Sequence, residues 1–341
     1  MQGFAGLCVP YAVVFVSLGG ADMKNNMNEM FTKRFGIEIE MTGITKEKAS
    51  KIIAETINGT VRYEGGMYSK RTITQPDGRK WSIVNDASIK PHVMEDGRMR
   101  LTGSDYSVEL VSPILTYNED IEKLQEIIRN LRKAGAVSGP EYQCGIHIHL
   151  DGADHTARSI KNFINIIASK NDLLYKALQI APERIRWCEK MDDRLVQRIK
   201  TRRPKTIEKI KKIWYEDYGG FSDYHYHQSR YHFLNLHSYF TGNHTIELRG
   251  FNGTLHAGYI RAYVVLSLAL NYQALTQSYA STRKPQIENE KFAMRTYLNR
   301  IGLIGDDFKS CRKHLYKHLD GVAAWRYGYP EKEEEITEEV K

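Results

Sequence analysis

Apolar and ionisable positions alternate in three short stretches of the chain: Gly36-Ile-Glu-Ile-Glu40, Cys144-Gly-Ile-His-Ile-His149 and Thr245-Ile-Glu-Leu-Arg249. A β-strand sends successive side chains to opposite faces. The pattern therefore predicts strands in which Glu38 and Glu40, His147 and His149, and Glu247 and Arg249 each share a face. Ile37, Ile39, Ile146, Ile148, Ile246 and Leu248 take the other face. Two more short stretches, residues 105–112 and 230–235, bring Glu109, Arg230 and Asn235 into similar settings. The wet face of an ordinary strand carries Thr, Lys, Ser and Gln; here it carries Glu, His and Arg, and the choice reads as a site.

The same reading predicts strands at 34–41, 60–64, 71–75, 80–85, 107–112 and 145–151, with Pro76-Asp-Gly78 as a turn in which Gly supplies the positive φ. Structure is expected to begin near Arg34. Two strands at 231–239 and 244–251 are expected to form a hairpin through a tight turn at 241–243. Helical spacing marks 45–57, with Thr45 as N-cap, and then 121–134, 156–180, 260–278, 289–301 and 307–319. Basic helices follow the 156–180 helix, and residues 215–228, dense in Tyr, Gly and His, have no period and read as a loop. Strands and helices do not alternate regularly, which argues against a doubly wound parallel sheet. The expected class is α+β: a curved, mainly antiparallel sheet with helices on its apolar face.

Composition refines this picture. At 341 residues and 41% hydrophobic, the chain is long enough to bury a sizeable core. The net charge of +8 is uneven, because residues 331–341 hold six Glu and two Lys. The expected organisation is a segment 1–30, one catalytic domain over 31–325 with a basic helical insertion at about 183–228, and a disordered acidic tail at 326–341. Residues 183–212 carry twelve Lys or Arg against five acidic residues, either a solvated helical face or a patch for an anion. No helix-turn-helix, zinc-finger or RRM pattern accompanies them, so no specific nucleic acid is expected. Cys8, Cys144, Cys188 and Cys311 are far apart and read as free thiols in a reducing, cytoplasmic setting. The apolar stretch 3–21 lacks a preceding Lys or Arg and contains Pro10. It admits three readings: translation truly starting at Met23, Met27 or Met30, a signal or anchor, or an ordered element. A membrane partner is not expected, and the oligomeric state is open.

Clustered carboxylates raise one another's pKa unless a positive charge neutralises them. A set dominated by Glu selects hard cations, Mg²⁺ or Mn²⁺, and His147 is an acceptable minority ligand. Arg249 beside such a site makes sense if arginine and metal grip the same anion, since its fork matches phosphate. Carboxylates, divalent ions and Arg are together the parts of a phosphoryl-transfer site. For any one of these residues a bland reading exists: a surface Glu, a satisfied core His, an Arg230 paired structurally, or Asp86-Ala-Ser88 as a turn cap rather than a substrate contact. The recurrence in phase is what the bland reading does not explain. A Gly-Lys-Ser/Thr phosphate loop and the common hydrolase signatures are missing from the sequence.

Six motifs in order carry a family resemblance: Phe35-Gly-Ile-Glu-Ile-Glu40, Asp86-x-Ser88, Glu109-Leu-Val-Ser-Pro113, Cys144-Gly-Ile-His-Ile-His149, Arg230-Tyr-x-x-Leu-Asn-Leu236 and Thr245-Ile-Glu-Leu-Arg-Gly-Phe251. Over about residues 35–278 the chain resembles the amidoligases, carboxylate–amine ligases of glutamine-synthetase-like fold. The resemblance implies a sheet whose polar face holds ATP and Mg²⁺ or Mn²⁺. It implies metal ligation by Glu38, Glu40, Glu109, His147 and Glu247, and His149 towards the ATP phosphates. Arg249 and Arg230 would bind phosphate or an acyl-phosphate, and Asp86, Ser88 and Asn235 would face the substrates, a carboxylate and an amine. The activity implied is ATP-dependent amide or isopeptide formation through an acyl-phosphate. The alternatives are a glutamate–cysteine ligase-like or guanidino kinase-like enzyme on the same fold, or a non-catalytic divalent-metal-binding protein.

Overall fold

A computed structural model describes residues 27–327, except 220, 221, 223 and 225. The apolar 3–21 stretch, Cys8 and nearly all of the acidic tail lie outside the described residues.

The three alternating stretches become neighbouring strands at the centre of one eight-stranded sheet. The strands are β1 (Phe35–Met41), β2 (Thr60–Gly65), β3 (Lys70–Thr74), β4 (Lys80–Val84), β5 (His92–Glu95), β6 (Arg98–Leu101), β7 (Val108–Val111), β8 (Gly145–Asp151), β9 (Leu234–Asn235) and β10 (Thr245–Asn252). The large sheet runs β2-β3-β4-β7-β1-β8-β10-β9, and β5-β6 form a separate pair. All of these strand pairs are antiparallel. The helices are α1 (Lys46–Ile57), α2 (Tyr117–Lys133), α3 (Ala157–Ala177), α4 (Asp193–Arg202), α5 (Ile207–Tyr215), α6 (His237–Phe240), α7 (Ala257–Thr276), α8 (Glu290–Arg300) and α9 (Lys309–Tyr316). The α+β class and the antiparallel sheet are as the alternation predicts.

The apolar half of each alternating pattern makes the core. Ile37 and Ile39 of β1, Ile146, Ile148 and Leu150 of β8, Ile246 and Leu248 of β10, and Leu110 of β7 are all buried. Register aligns them: Ile37 faces Ile148, Ile148 faces Leu248, and Ile39 faces both Ile146 and Leu110. A one-residue slip would turn this row to solvent and drive the carboxylates into the helices, so burial fixes the register. Helix α7, apolar nearly all round, is buried along most of its length, as such helices are. Among the described residues, no helix is long and apolar enough to cross a membrane.

The structure differs from expectation in four places. Order begins before Arg34: residues 27–32 are helical, Met30 and Phe31 are buried, and the Phe31 ring stacks on Tyr117 at 4.2 Å. The β5–β6 hairpin was not anticipated, although Asp96-Gly97 between short strands is a hairpin signal; both residues have positive φ, 50° and 74°. The expected 231–239 strand shrinks to Leu234–Asn235, and the expected tight hairpin is a strand, a one-turn helix and a strand. Asn235 causes this, because its Oδ1 accepts from the His237 main-chain N–H at 2.8 Å and turns the chain into α6. Helix α2 starts at Tyr117, a turn earlier than periodicity suggests, because the Asp120 carboxylate accepts from the Thr116 N–H at 2.9 Å.

Ile148 sits mid-sheet with apolar partners on both neighbouring strands. Ile148→Ala is expected to lower the unfolding free energy by about 2–5 kcal/mol in denaturant titration; a loss well under ~1 kcal/mol would contradict the central placement of β8.

Candidate active site

Strand register sets the polar face as firmly as the apolar one. Glu38 lies opposite His147, Glu40 opposite Glu109, and His149 opposite Glu247, which in turn faces Asn235. Four strands thus bring Glu38, Glu40, Glu109, His147, His149, Glu247 and Arg249 onto one patch. The patch floors a cleft of about 680 Å³. Glu40, Glu247, His147 and Arg249 are all more than nine-tenths buried.

His147 stands at the centre. Its Nδ1 is 3.0 Å from Glu38 Oε2 and 3.6 Å from Glu247 Oε1, and its Nε2 is 3.8 Å from Glu40 Oε1. His149 Nε2 lies 3.2 Å from Glu38 Oε1. The Gly145 N–H donates to Glu40 Oε2 at 2.6 Å, and Asn235 Nδ2 donates to Glu247 Oε2 at 2.6 Å. Arg249 Nη1 donates to Glu247 Oε1, and Arg249 Nε donates to the Trp187 carbonyl at 3.4 Å. Asn235, expected on the substrate side, is thus buried with its amide engaged at both ends, by Glu247 and by His237. Arg249 is tied to the neighbouring carboxylate as well as to the main chain.

Strand β10 carries a bulge here. Its register against β8 shifts by one residue between Leu248 and Phe251, so Arg249 and Gly250 together oppose His147. The bulge demands glycine at 250, because a Cβ there would overlap the Phe233 ring.

The charges are strongly coupled. Burial pushes the Glu38 carboxyl up, but the charge of His149 and hydrogen bonds from both imidazoles overcome it and hold Glu38 well below the usual range. At Glu247 burial is likewise overcome, by Arg249, His149 and His147, and the value falls to about 2. Glu109 goes the other way: burial, then the negative charges of Glu38, Glu40 and Asp86, raise it well above the usual carboxylate range. Glu40 is raised too, chiefly by burial, against the pull of His147 and Arg184. Burial would lower His149, but Glu38 and Glu247 raise it to about 9.

Glu38 and Glu247 have positive neighbours that outweigh burial; Glu109 and Glu40 behave as carboxylates do when positive charge does not fully offset burial and repulsion. The donor set fits a divalent ion. Ligand atoms of Glu38, His147 and Glu247 lie within 4.8 Å of one another, as do those of Glu40, Glu109 and His147. That spacing is about twice the 2.0–2.6 Å of a bond from a hard cation to oxygen. His147 is common to both groups, and a neutral imidazole has one free lone pair, so it can serve one ion at a time. Oxygen donors dominate, which favours Mg²⁺ or Mn²⁺ over softer ions.

Other expected residues line the cleft without joining the cluster. Asp86 and Ser88 form a turn at its wall, Asp86 Oδ1 accepting from the Ser88 N–H at 2.6 Å. Arg230 lies at the mouth, its guanidinium 5.6 Å from the Tyr226 ring centre and 6.0 Å from that of Tyr231. Sequence reasoning missed Tyr68 and Tyr226, whose hydroxyls meet at 3.2 Å across the mouth, and Arg184 and Trp187 on the wall. Arg184 had been one cation among twelve in a basic run, with no local pattern to distinguish it. A larger hollow of about 880 Å³ near Lys170 and Arg300 shares none of these residues.

Comparison with known proteins follows the same lines. A family model described as "putative amidoligase enzyme" matches residues 32–271. Among solved structures, the chain is similar to a bifunctional glutathione synthetase from Pasteurella multocida, with 11% identity over 87% of this chain and 49% of that one, at a TM-score of 0.38. The chain therefore spans about half the length of that protein, and a likeness so weak carries no argument about the site. No curated protein matches the chain.

The pKa directions predict a pH profile for the protein held in chelator. The His149 value is raised from 6.5 to about 9, so its charged form contributes stability that is fully present below about pH 6.5 and is lost as pH rises through about 9. Melting temperature is expected to fall across that interval, and to fall less in His149→Gln. Equal slopes in the two proteins would contradict the His149–Glu38 coupling.

Proposed function

The chain belongs to the amidoligase family, ATP-dependent ligases, and on that premise we propose that the cleft joins a carboxylate to an amine through an acyl-phosphate on a glutamine-synthetase-like catalytic fold. One observation carries the reading: four glutamates from three strands surround His147, and an arginine lies in the same buried patch. A buried carboxylate cluster this dense is costly without cations, and an arginine beside it suits an anion shared with them. The reading covers about residues 31–325 as one catalytic domain.

Mg²⁺ or Mn²⁺ held by Glu38, Glu40, Glu109, His147 and Glu247 would neutralise charge on the transferring phosphoryl group of ATP. The substrate carboxylate oxygen bonds to the γ-phosphorus as ADP leaves. The amine nitrogen then bonds to the acyl carbon, the carbon–oxygen bond to phosphate breaks, and the amine gives up a proton. The chain's own part is placement. Asn235 holds one Glu247 oxygen and the Gly145 N–H holds one Glu40 oxygen; the second oxygen of Glu40 would turn to a cation, and the second oxygen of Glu247, bonded here to Arg249, would exchange that partner for one. With Glu247 engaged by a cation, Arg249 would lose that carboxylate partner and could turn to phosphate. His149, which lies against Glu38 in the cluster, would meet the phosphates. Arg230 suits the acid or its acyl-phosphate, and Asp86 and Ser88, which line the same cleft, would face the substrates. No enzyme nucleophile is required, because phosphate is the leaving group.

Glu38→Gln and Glu247→Gln are each expected to abolish Mg²⁺-dependent ADP release, measured with a panel of carboxylates and hydroxylamine as the amine, while circular dichroism shows the fold retained. Wild-type rates in either variant, on an acid the parent protein uses, would overturn the metal-site reading.

A further inference from the structure

Arg184 is the buried group of this region that the proposed mechanism leaves unused. It enters from a 3-10 helix, Pro182–Trp187, and is only 3% exposed. That segment is anchored to the end of β10: Asn252 Oδ1 accepts from the Ala181 N–H at 3.1 Å, and Asn252 Nδ2 donates to the Gln179 carbonyl at 2.7 Å. The guanidinium then reaches across the first residue of β8. A Cβ at position 145 would overlap its terminal nitrogens, so the bare Cα of Gly145 makes the space it occupies. Arg184 Nη2 donates to the Arg249 carbonyl at 3.2 Å.

That carbonyl belongs to the bulge, where Arg249 and Gly250 leave the regular ladder with β8. Arg184 therefore satisfies an acceptor at the irregularity that sets the aim of Arg249. The same segment takes the Arg249 side chain as well, through its Nε bond to the Trp187 carbonyl. The charge of Arg184 also lies close enough to Glu40 to oppose the upward push of burial on that carboxyl.

We propose that Arg184 is a positioning residue of this site. Its guanidinium, seated over Gly145 and bonded to the main chain of the β10 bulge, fixes the direction of Arg249 and keeps a permanent positive charge beside Glu40. The role rests on the ligase reading above, and the geometry behind it does not. It also accounts for the glycine in Cys144-Gly-Ile-His: the N–H of Gly145 binds Glu40 while its missing side chain admits Arg184.

Three variants test this in the full chain: Arg184→Met, which keeps bulk and removes the charge; Arg184→Lys, which keeps the charge and removes the fork; and Gly145→Ala, which pushes the guanidinium aside by its flexible end. Hydrogen exchange across residues 246–252 is expected to quicken in Arg184→Met and Gly145→Ala. Mn²⁺ affinity, read by paramagnetic resonance, is expected to fall about 10–100-fold in both and to recover in part in Arg184→Lys. Adding Gly145→Ala to Arg184→Met should change little, because both remove one interaction. Unchanged exchange in Gly145→Ala overturns the proposal, as does quickened exchange with wild-type Mn²⁺ affinity and turnover. If Arg184→Met does not fold, Gly145→Ala alone decides. A parent protein that neither binds Mn²⁺ nor turns over ATP would sink the ligase reading, while the exchange result would still decide whether Arg184 holds the bulge.

Discussion

Four carboxylates from three strands of one sheet share a face and are largely removed from water. In the low dielectric of that setting they cannot all remain charged without compensation. The protein supplies some of it: His149 is held protonated, Arg249 lies against Glu247, and Arg184 stands beside Glu40. The compensation is incomplete at Glu109, whose carboxyl is pushed well above its ordinary range by burial and by its neighbours. Much of the local architecture serves to hold this cluster together: the register of β1, β7, β8 and β10, the bulge, the Asn235 bridge and the glycine at 145.

What keeps the cluster from flying apart is the opposite face. Ile37, Ile39, Leu110, Ile146, Ile148 and Leu248 interlock beneath it, and each contributes about 1.5–3 kcal/mol when fully buried. Because the side-chain period is two, the apolar contacts that stabilise the fold also dictate which residues meet above. Positioning and stability are thus two faces of one register, and a sheet of this kind can carry a repulsive site without a flexible loop to hold it.

This is why so much was legible in the sequence. Alternation gave the central strands, and the choice of Glu, His and Arg on one phase gave the cluster itself, Glu109 included. Features set by single hydrogen bonds or by distant packing were not legible. Asn235 ends its strand early through one bond to His237, which periodicity cannot see. The bulge at Arg249 and Gly250 depends on Phe233 filling the space a side chain would need. Arg184 looked like any other residue of a basic run, and most of that run does behave as a solvated face, with Arg194, Arg198 and Arg202 paired to Asp192, Asp217 and Glu216. Only the three-dimensional meeting with Gly145 sets it apart. The Asp96-Gly97 hairpin was readable and was missed.

The central claim is that this carboxylate face is a divalent-cation site. Anomalous diffraction from crystals grown with Mn²⁺ tests it most directly. The account predicts manganese peaks between His147 and the carboxylates of Glu38, Glu40, Glu109 and Glu247, with Arg249 turned away from Glu247. Crystals that show manganese elsewhere and none beside His147, with the Arg249–Glu247 pair intact, would contradict it.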